Sequence, residues 1–129
     1  MHPPPEKEPH WVVRGGMATP NQLQAGTARH RGVPDPPGLC GFSVQYQPGK
    51  TIKELTVAGK FRNAQISVTT DTALVAAGLS AGYPVHIVQS PGVGYHHTVQ
   101  VPFPLPLDLA EALSVVFTQM PNPARFLDP

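Results

Sequence analysis

The sequence predicts an α+β fold, with a curved, mostly antiparallel β sheet of about five or six strands and two or three short helices. Three observations lead there. Period-two alternation recurs in short runs, at Phe42 to Gln47, Gln65 to Thr69 and Tyr95 to Val101. Capping residues precede helix-compatible runs at Thr51 and at Thr70-Asp71. Seventeen prolines and twelve glycines in 129 residues cut the chain into short elements and argue against a helical bundle.

Composition narrows the function classes. The length suits one domain with a real core, expected over 10–120, between a proline-rich, charged lead-in over 1–9 and a tail over 121–129. A formal net charge of +1, with 13% charged residues, leaves no electrostatic footprint for nucleic acid or an anionic membrane. Cys40 is the single cysteine, so no internal disulfide forms, and it is expected as a small buried residue. No apolar run is long enough to span a bilayer, and the N-terminus lacks a signal-peptide pattern. The expectation is a soluble, cytoplasmic protein that makes no membrane contact.

Taken in order, His10 to Arg14 is the first strand, with Trp11 and Val13 on one face and His10, Val12 and Arg14 on the other. Gly15-Gly16 ends it, and an arginine at the end of an apolar strand beside two glycines is placed either to look into a cleft or to reach water. Met17 to Leu39 is irregular, with a possible helical turn after Thr19-Pro20 and a basic group, Arg29, His30 and Arg31, that suits a phosphate or a solvated turn. Phe42 to Gln47 is a strand, and Thr51 with Glu54 has capping-box spacing for a helix to Gly59. Gln65 to Asp71 is a strand bearing Ser67 and Thr69 opposite Ile66 and Val68, and it runs into a helix to about Ser80. Such a junction suits a polar or anionic ligand, or is an ordinary strand-to-helix connection with its hydroxyls on a wet face.

Tyr83 to Gln89 and Tyr95 to Val101 are strands, with His86 and His97 structural. On the last strand His96, Thr98 and Gln100 share the polar face. Adjacent strand residues point apart, so His96 and His97 make a poor chelating pair and no metal is expected. Asp108 and Glu111 resemble a second capping box, Leu109, Leu113, Val116 and Phe117 form a helical stripe, and Pro121 should stop that helix.

The polar strand positions Arg14, then Ser67 and Thr69, then His96 and Thr98 follow an order that resembles the ADP-ribosyltransferase superfamily. Val12-Val13-Arg14-Gly15-Gly16 looks like the arginine strand of the Arg-Ser-Glu clade. The stretch from Ile66 to Leu74 looks like its Ser-x-Thr strand and following helix, particularly in bacterial toxin domains. Thr98 falls where that clade carries its glutamate. The resemblance covers Trp11 to Pro102 and implies a split, strongly bent sheet and NAD as cofactor. It implies cofactor-binding roles for Arg14, Gly15, Ser67 and Thr69, and places His96 and Thr98 at the catalytic position. A macromolecular target, protein or nucleic acid, and a cognate antitoxin or immunity protein follow by the same analogy.

The missing glutamate is a departure from the family pattern, because threonine cannot offer a charge to a developing oxocarbenium ion. Histidine is the side chain best suited to acid/base work near neutral pH, so His96 is the candidate to take it over. The expectation is therefore an ADP-ribosyltransferase-like toxin or effector domain. The alternatives are a small RNase or phosphoesterase toxin using His96 with Arg14 or Arg29, and a non-catalytic interaction module.

Overall fold

A computed structural model describes residues 10–29, 39–90 and 94–123. The elements in chain order are β1 (Trp11–Gly15), α1 (Pro20–Arg29), β2 (Leu39–Tyr46), α2 (Ile52–Gly59), β3 (Gln65–Thr70), α3 (Asp71–Ser80), β4 (His86–Gln89), β5 (His96–Pro102), α4 (Leu107–Ser114) and β6 (Thr118–Pro121). The six strands form one antiparallel sheet in the order β4-β5-β2-β1-β3-β6. The fold is α+β, with four helices where two or three are expected.

The additional helix is α1. Thr19 caps it by accepting the Gln22 N–H on Oγ1 (3.2 Å), and Pro20 opens it where a missing N–H costs nothing. Only Leu23, Gly26 and Thr27 among its described side chains are buried, and Gly26 lets the helix approach Arg14 and Phe42 closely. At α2 the capping box is complete: Thr51 Oγ1 accepts the Glu54 N–H (3.1 Å) and Glu54 Oε1 accepts the Thr51 N–H (2.9 Å). Thr70 caps α3 through the Ala73 N–H (3.2 Å), so Asp71 is the first helical residue rather than the cap. Asp108 and Glu111 form no capping box; Pro106 stands at the cap, and Asp108 Oδ1 accepts the N–H of its neighbour Leu109.

The chain after α4 departs from expectation. The helix ends at Ser114, Val116 and Phe117 lie in the turn beyond it, and Thr118–Pro121 pairs with β3 as an edge strand. Asn122 is buried and fixes this return, donating its side-chain amide to the carbonyls of Phe61 (3.0 Å) and Asn63 (2.9 Å). Pro121 thus ends a strand, not a helix. The strand expected from Tyr83 starts at His86, because the Tyr83 N–H closes the end of α3 on the Gly78 carbonyl.

Two apolar clusters sandwich the sheet. On one face Val12, Phe42, Val44, Val99 and Val101 pack against Leu23 of α1, Leu74 of α3 and Leu109 and Leu113 of α4. On the other, Val13, Ile66 and Val68 pack against Leu55 of α2. The sheet is forked at its centre. Five residue pairs join β1 to β3 and seven join β2 to β5, but only Val12↔Tyr46 and Val13↔Gln45 join β1 to β2. Beyond Val13 the two halves, β4-β5-β2 and β1-β3-β6, share no further ladder pair.

Candidate functional site

Arg14 sits where the fork opens. Its side chain points to the face covered by α1, 7% exposed, and its guanidinium donates to the carbonyls of Ser43 on β2 (3.3 Å) and Gln22 on α1 (3.3 Å). It lies 5.4 Å above the Phe42 ring. A flat, five-donor cation thus bolts β1 to β2 just beyond the point where the backbone ladder stops.

Ser67 is directly opposite Arg14 in the β1/β3 register, and Thr69 is opposite Val12, so all three polar side chains share the α1 face. Neither hydroxyl is wet: Ser67 is 2% exposed and Thr69 4%. Ser67 Oγ donates to the Gly16 carbonyl (2.7 Å), which secures the end of β1. Thr69 Oγ1 has no hydrogen-bond partner among the described residues. Gly15 is covered as well. A Cβ there would stand 2.7 Å from Asn63 Oδ1 and 2.8 Å from the Phe61 ring, so the glycine admits these side chains.

His96 and Thr98 lie on the opposite face. Their register partners on β2 are Gln45 and Ser43, and Gln45 pairs in turn with Val13, whose side chain packs on the α2 side. The structure therefore brings Arg14, Ser67 and Thr69 to one face and His96 and Thr98 to the other. The five side chains do not converge on one pocket.

The α2-side face of β2, β5 and β4 carries its own polar array. Ser43, His96 and Thr98 are half-buried, Gln45 and Gln100 are buried, and His86 opposite Gln100 is exposed. Thr98 Oγ1 donates to Ser90 Oγ (3.0 Å), and Ser90 Oγ meets His96 Nδ1 (3.2 Å). Ser90 Oγ therefore links Thr98 to His96, and Nδ1 is the ring nitrogen that meets it. Ser90 is a member of this array that the linear pattern hides. It follows β4 by one residue and meets His96 only because β4 and β5 form a hairpin.

A second polar cluster stands at the head of α3. Asp71 Oδ2 accepts the Tyr46 hydroxyl (2.7 Å) and contacts His10 Nδ1 (3.1 Å), while Oδ1 accepts the Thr72 N–H (2.7 Å). Burial pushes the Asp71 carboxyl upward, but the bonds from Tyr46, His10 and the Thr72 N–H outweigh it and hold the group below the ordinary aspartate value. Burial, helped by the adjoining carboxylate, raises the Tyr46 phenol to about 12. Tyr46 and Asp71 reach a cavity of about 420 Å³ walled by Val75, Val85 and Ile87. His97 is structural, with Nδ1 on the Tyr95 carbonyl (2.7 Å) and its ring edge-on to Tyr46 at 5.2 Å.

The basic group around His30 and Arg31 lies outside the described residues, as do the side chains of Arg29 and Cys40. Among the described residues no three His, Cys, Asp or Glu side chains gather as metal ligands, and no helix is long and apolar enough to cross a membrane. No protein-family model, curated protein or solved structure matches the chain.

Proposed function

We propose that the chain is an NAD-binding domain of ADP-ribosyltransferase-like build, in which the dinucleotide lies along the polar α2-side face of β2 and β5 beside the fork. The observation that carries this reading is the fork itself. The two half-sheets, joined by two ladder pairs, part beside Ser43, and its register partner Thr98 and the nearby His96 present polar side chains on the same face. The roles assigned from the sequence shift accordingly. Arg14 and Ser67 hold the fork in shape from behind, and Thr69 is core. His96 and Thr98 face the ligand.

Ribosyl transfer separates nicotinamide from a ribose that develops positive charge, and it needs a group to take the proton of the attacking acceptor. Of the described carboxylates, Asp71 is turned to Tyr46, Asp108 and Glu111 are on α4, and Glu54, on α2, is engaged with Thr51 in the capping box. The ionisable side chains in the array are His86, exposed at its edge, and His96, whose Nδ1 meets Ser90 beside Thr98. The task of His96 is general acid/base work, with Thr98 fixing Ser90.

The test is direct. Millimolar NAD should raise the melting temperature of the protein, and His96→Gln and Thr98→Val should shrink the rise. Labelled NAD incubated with lysate should then mark either protein or nucleic acid. No melting shift and no label would defeat the proposal. The Ser90–His96 contact favours one other reading, a phosphoesterase or RNase; strand cleavage without NAD that disappears in His96→Ala would establish that instead.

A further inference from the structure

On the α2 side of the sheet a cleft of about 390 Å³ lies between α2 and Tyr95. Lys50, Lys53 and Glu54 stand around it, and Val57 and Ala58 form its apolar wall. Lys50 Nζ sits over the Tyr95 ring, 5.6 Å from its centroid. Two lysines against one glutamate leave the lining with one net positive charge. That charge does not come from the helix end, because the Glu54 N–H is already taken by Thr51.

The aromatic wall is fixed in place by three contacts. The Tyr95 N–H donates to Gln45 Oε1 (2.7 Å), and the Tyr95 carbonyl accepts the Tyr46 N–H (3.0 Å). Gly94, with φ of 61°, presses on α2 so closely that a Cβ would stand 2.6 Å from the Ala58 carbonyl oxygen. A ring held this way is a ready stacking surface, and the lysine poised over it is the kind of mobile cation that phosphate recruits. The cleft is also joined to the polar array. Gln45, buried beneath Gly59 of α2, accepts from Tyr95 and pairs in register with His96, so one covered side chain links Tyr95 to the neighbour of the array.

We propose that this cleft takes the adenylate half of the dinucleotide, with the base on the Tyr95 ring and the phosphate between Lys50 and Lys53. On binding, the Lys50 ammonium moves from ring to phosphate and the base replaces it. The nicotinamide half then extends over the surface of β5 toward His96 and Thr98. This assignment rests on the NAD-binding reading, and the two can be separated.

Calorimetry with AMP, nicotinamide mononucleotide and NAD on the full chain tests it. AMP should bind the parent protein and Tyr95→Phe alike, since the phenol hydroxyl has no part. Tyr95→Leu should weaken AMP and NAD roughly tenfold, the loss of one stacked base. Lys53→Glu, an exposed change that spares the core, should weaken both as well, so a misfolded Tyr95→Leu does not decide the matter. His96→Gln should weaken nicotinamide mononucleotide and leave AMP unchanged. NAD binding indifferent to Tyr95→Leu and Lys53→Glu overturns the cleft and leaves the NAD reading standing. AMP binding that needs Tyr95, with no binding of nicotinamide mononucleotide or NAD, keeps the cleft and overturns the NAD reading. AMP that does not bind at all overturns the cleft.

Discussion

The two faces of the forked sheet carry similar residues and hold them differently. On the α1 side, Arg14, Ser67 and Thr69 are almost wholly buried beneath a layer to which α1, α3 and α4 all contribute. On the α2 side, Ser43, His96 and Thr98 are half-buried, and the single helix packs over Val13, Ile66 and Val68 of the other half-sheet. The contrast teaches that a hydroxyl or guanidinium on a strand acquires its role from the helix laid over it. Under three helices Arg14 becomes a bolt between carbonyls; beside one short helix His96 remains reachable.

The two faces differ most at Arg14. If it is a structural bolt, Arg14→Ala leaves the carbonyls of Ser43 and Gln22 without this donor and opens the fork. The expected loss is about 3 kcal/mol, or on the order of 10 °C in melting temperature. Arg14→Lys should recover only part of it, because a single ammonium cannot reach both carbonyls as a planar fork does. A protein that melts normally but no longer responds to NAD would return Arg14 to the ligand.

The α2 side offers a second test. Gly41 pairs with Gln100, and a Cβ there would run into the Thr98 side chain and the Val99 carbonyl. Gly41→Ala should cost about 2 kcal/mol through overpacking. It should also displace Thr98 and with it the Ser90–His96 contact, so the NAD-dependent melting shift should fall further than stability alone explains. An unchanged shift would mean that Thr98 geometry does not matter to binding.

Much of the fold was legible because its signals are local. Thr51 and Glu54 announce α2 by spacing alone, and the alternation at Tyr95 to Val101 locates β5 to within a residue. Elements whose stability is tertiary were legible only in part: Thr19-Pro20 marks where α1 starts but not how far it runs. Helix α1 has no acidic residue in its first turn and a glycine inside it, and it exists as a cover for Arg14 and Phe42. Strand β6 is four residues ending in a proline, stabilised by β3 and by Asn122. For the site, alternation shows that Ser67 and Thr69 share a face and that His96 and Thr98 share a face. It cannot show that these are opposite faces, because that depends on register through β1 and β2. Ser90 was hidden for the same reason.

At Thr69 the expected effect has the opposite sign. Its hydroxyl is buried with no partner among the described residues, so removing it should help. Thr69→Val keeps the shape, deletes a desolvated polar atom, and should stabilise by about 1 kcal/mol, read as a higher urea midpoint. The response to NAD should be unaltered. A weakened response would place Thr69 at the ligand and blur the distinction between the faces.

The smallest expected effect tests how firmly the covered side is anchored at its edge, where Asp71 ties the head of α3 to β2 through Tyr46 and to the start of β1 through His10. The folded-state pKa of Asp71 is depressed, so its contribution is present above the unfolded aspartate value of ~3.9 and is lost as pH falls through the lower folded value. Tyr46 works in the other direction. Its folded pKa of about 12 lies above the phenol's ordinary 10.0, so its contribution is full below that ordinary value and disappears as pH rises toward the folded one. Urea midpoints followed below pH 4 should therefore decline less steeply in Asp71→Asn than in the parent, and Tyr46→Phe should flatten the decline in strong alkali. Because Tyr46 and Asp71 meet on the α1 side of β2, opposite His96, neither change should alter the pH dependence of ligand binding near neutrality. If Asp71→Asn moves that dependence, the head of α3 communicates with His96 through Tyr46 and Gln45, and the two faces are not independent.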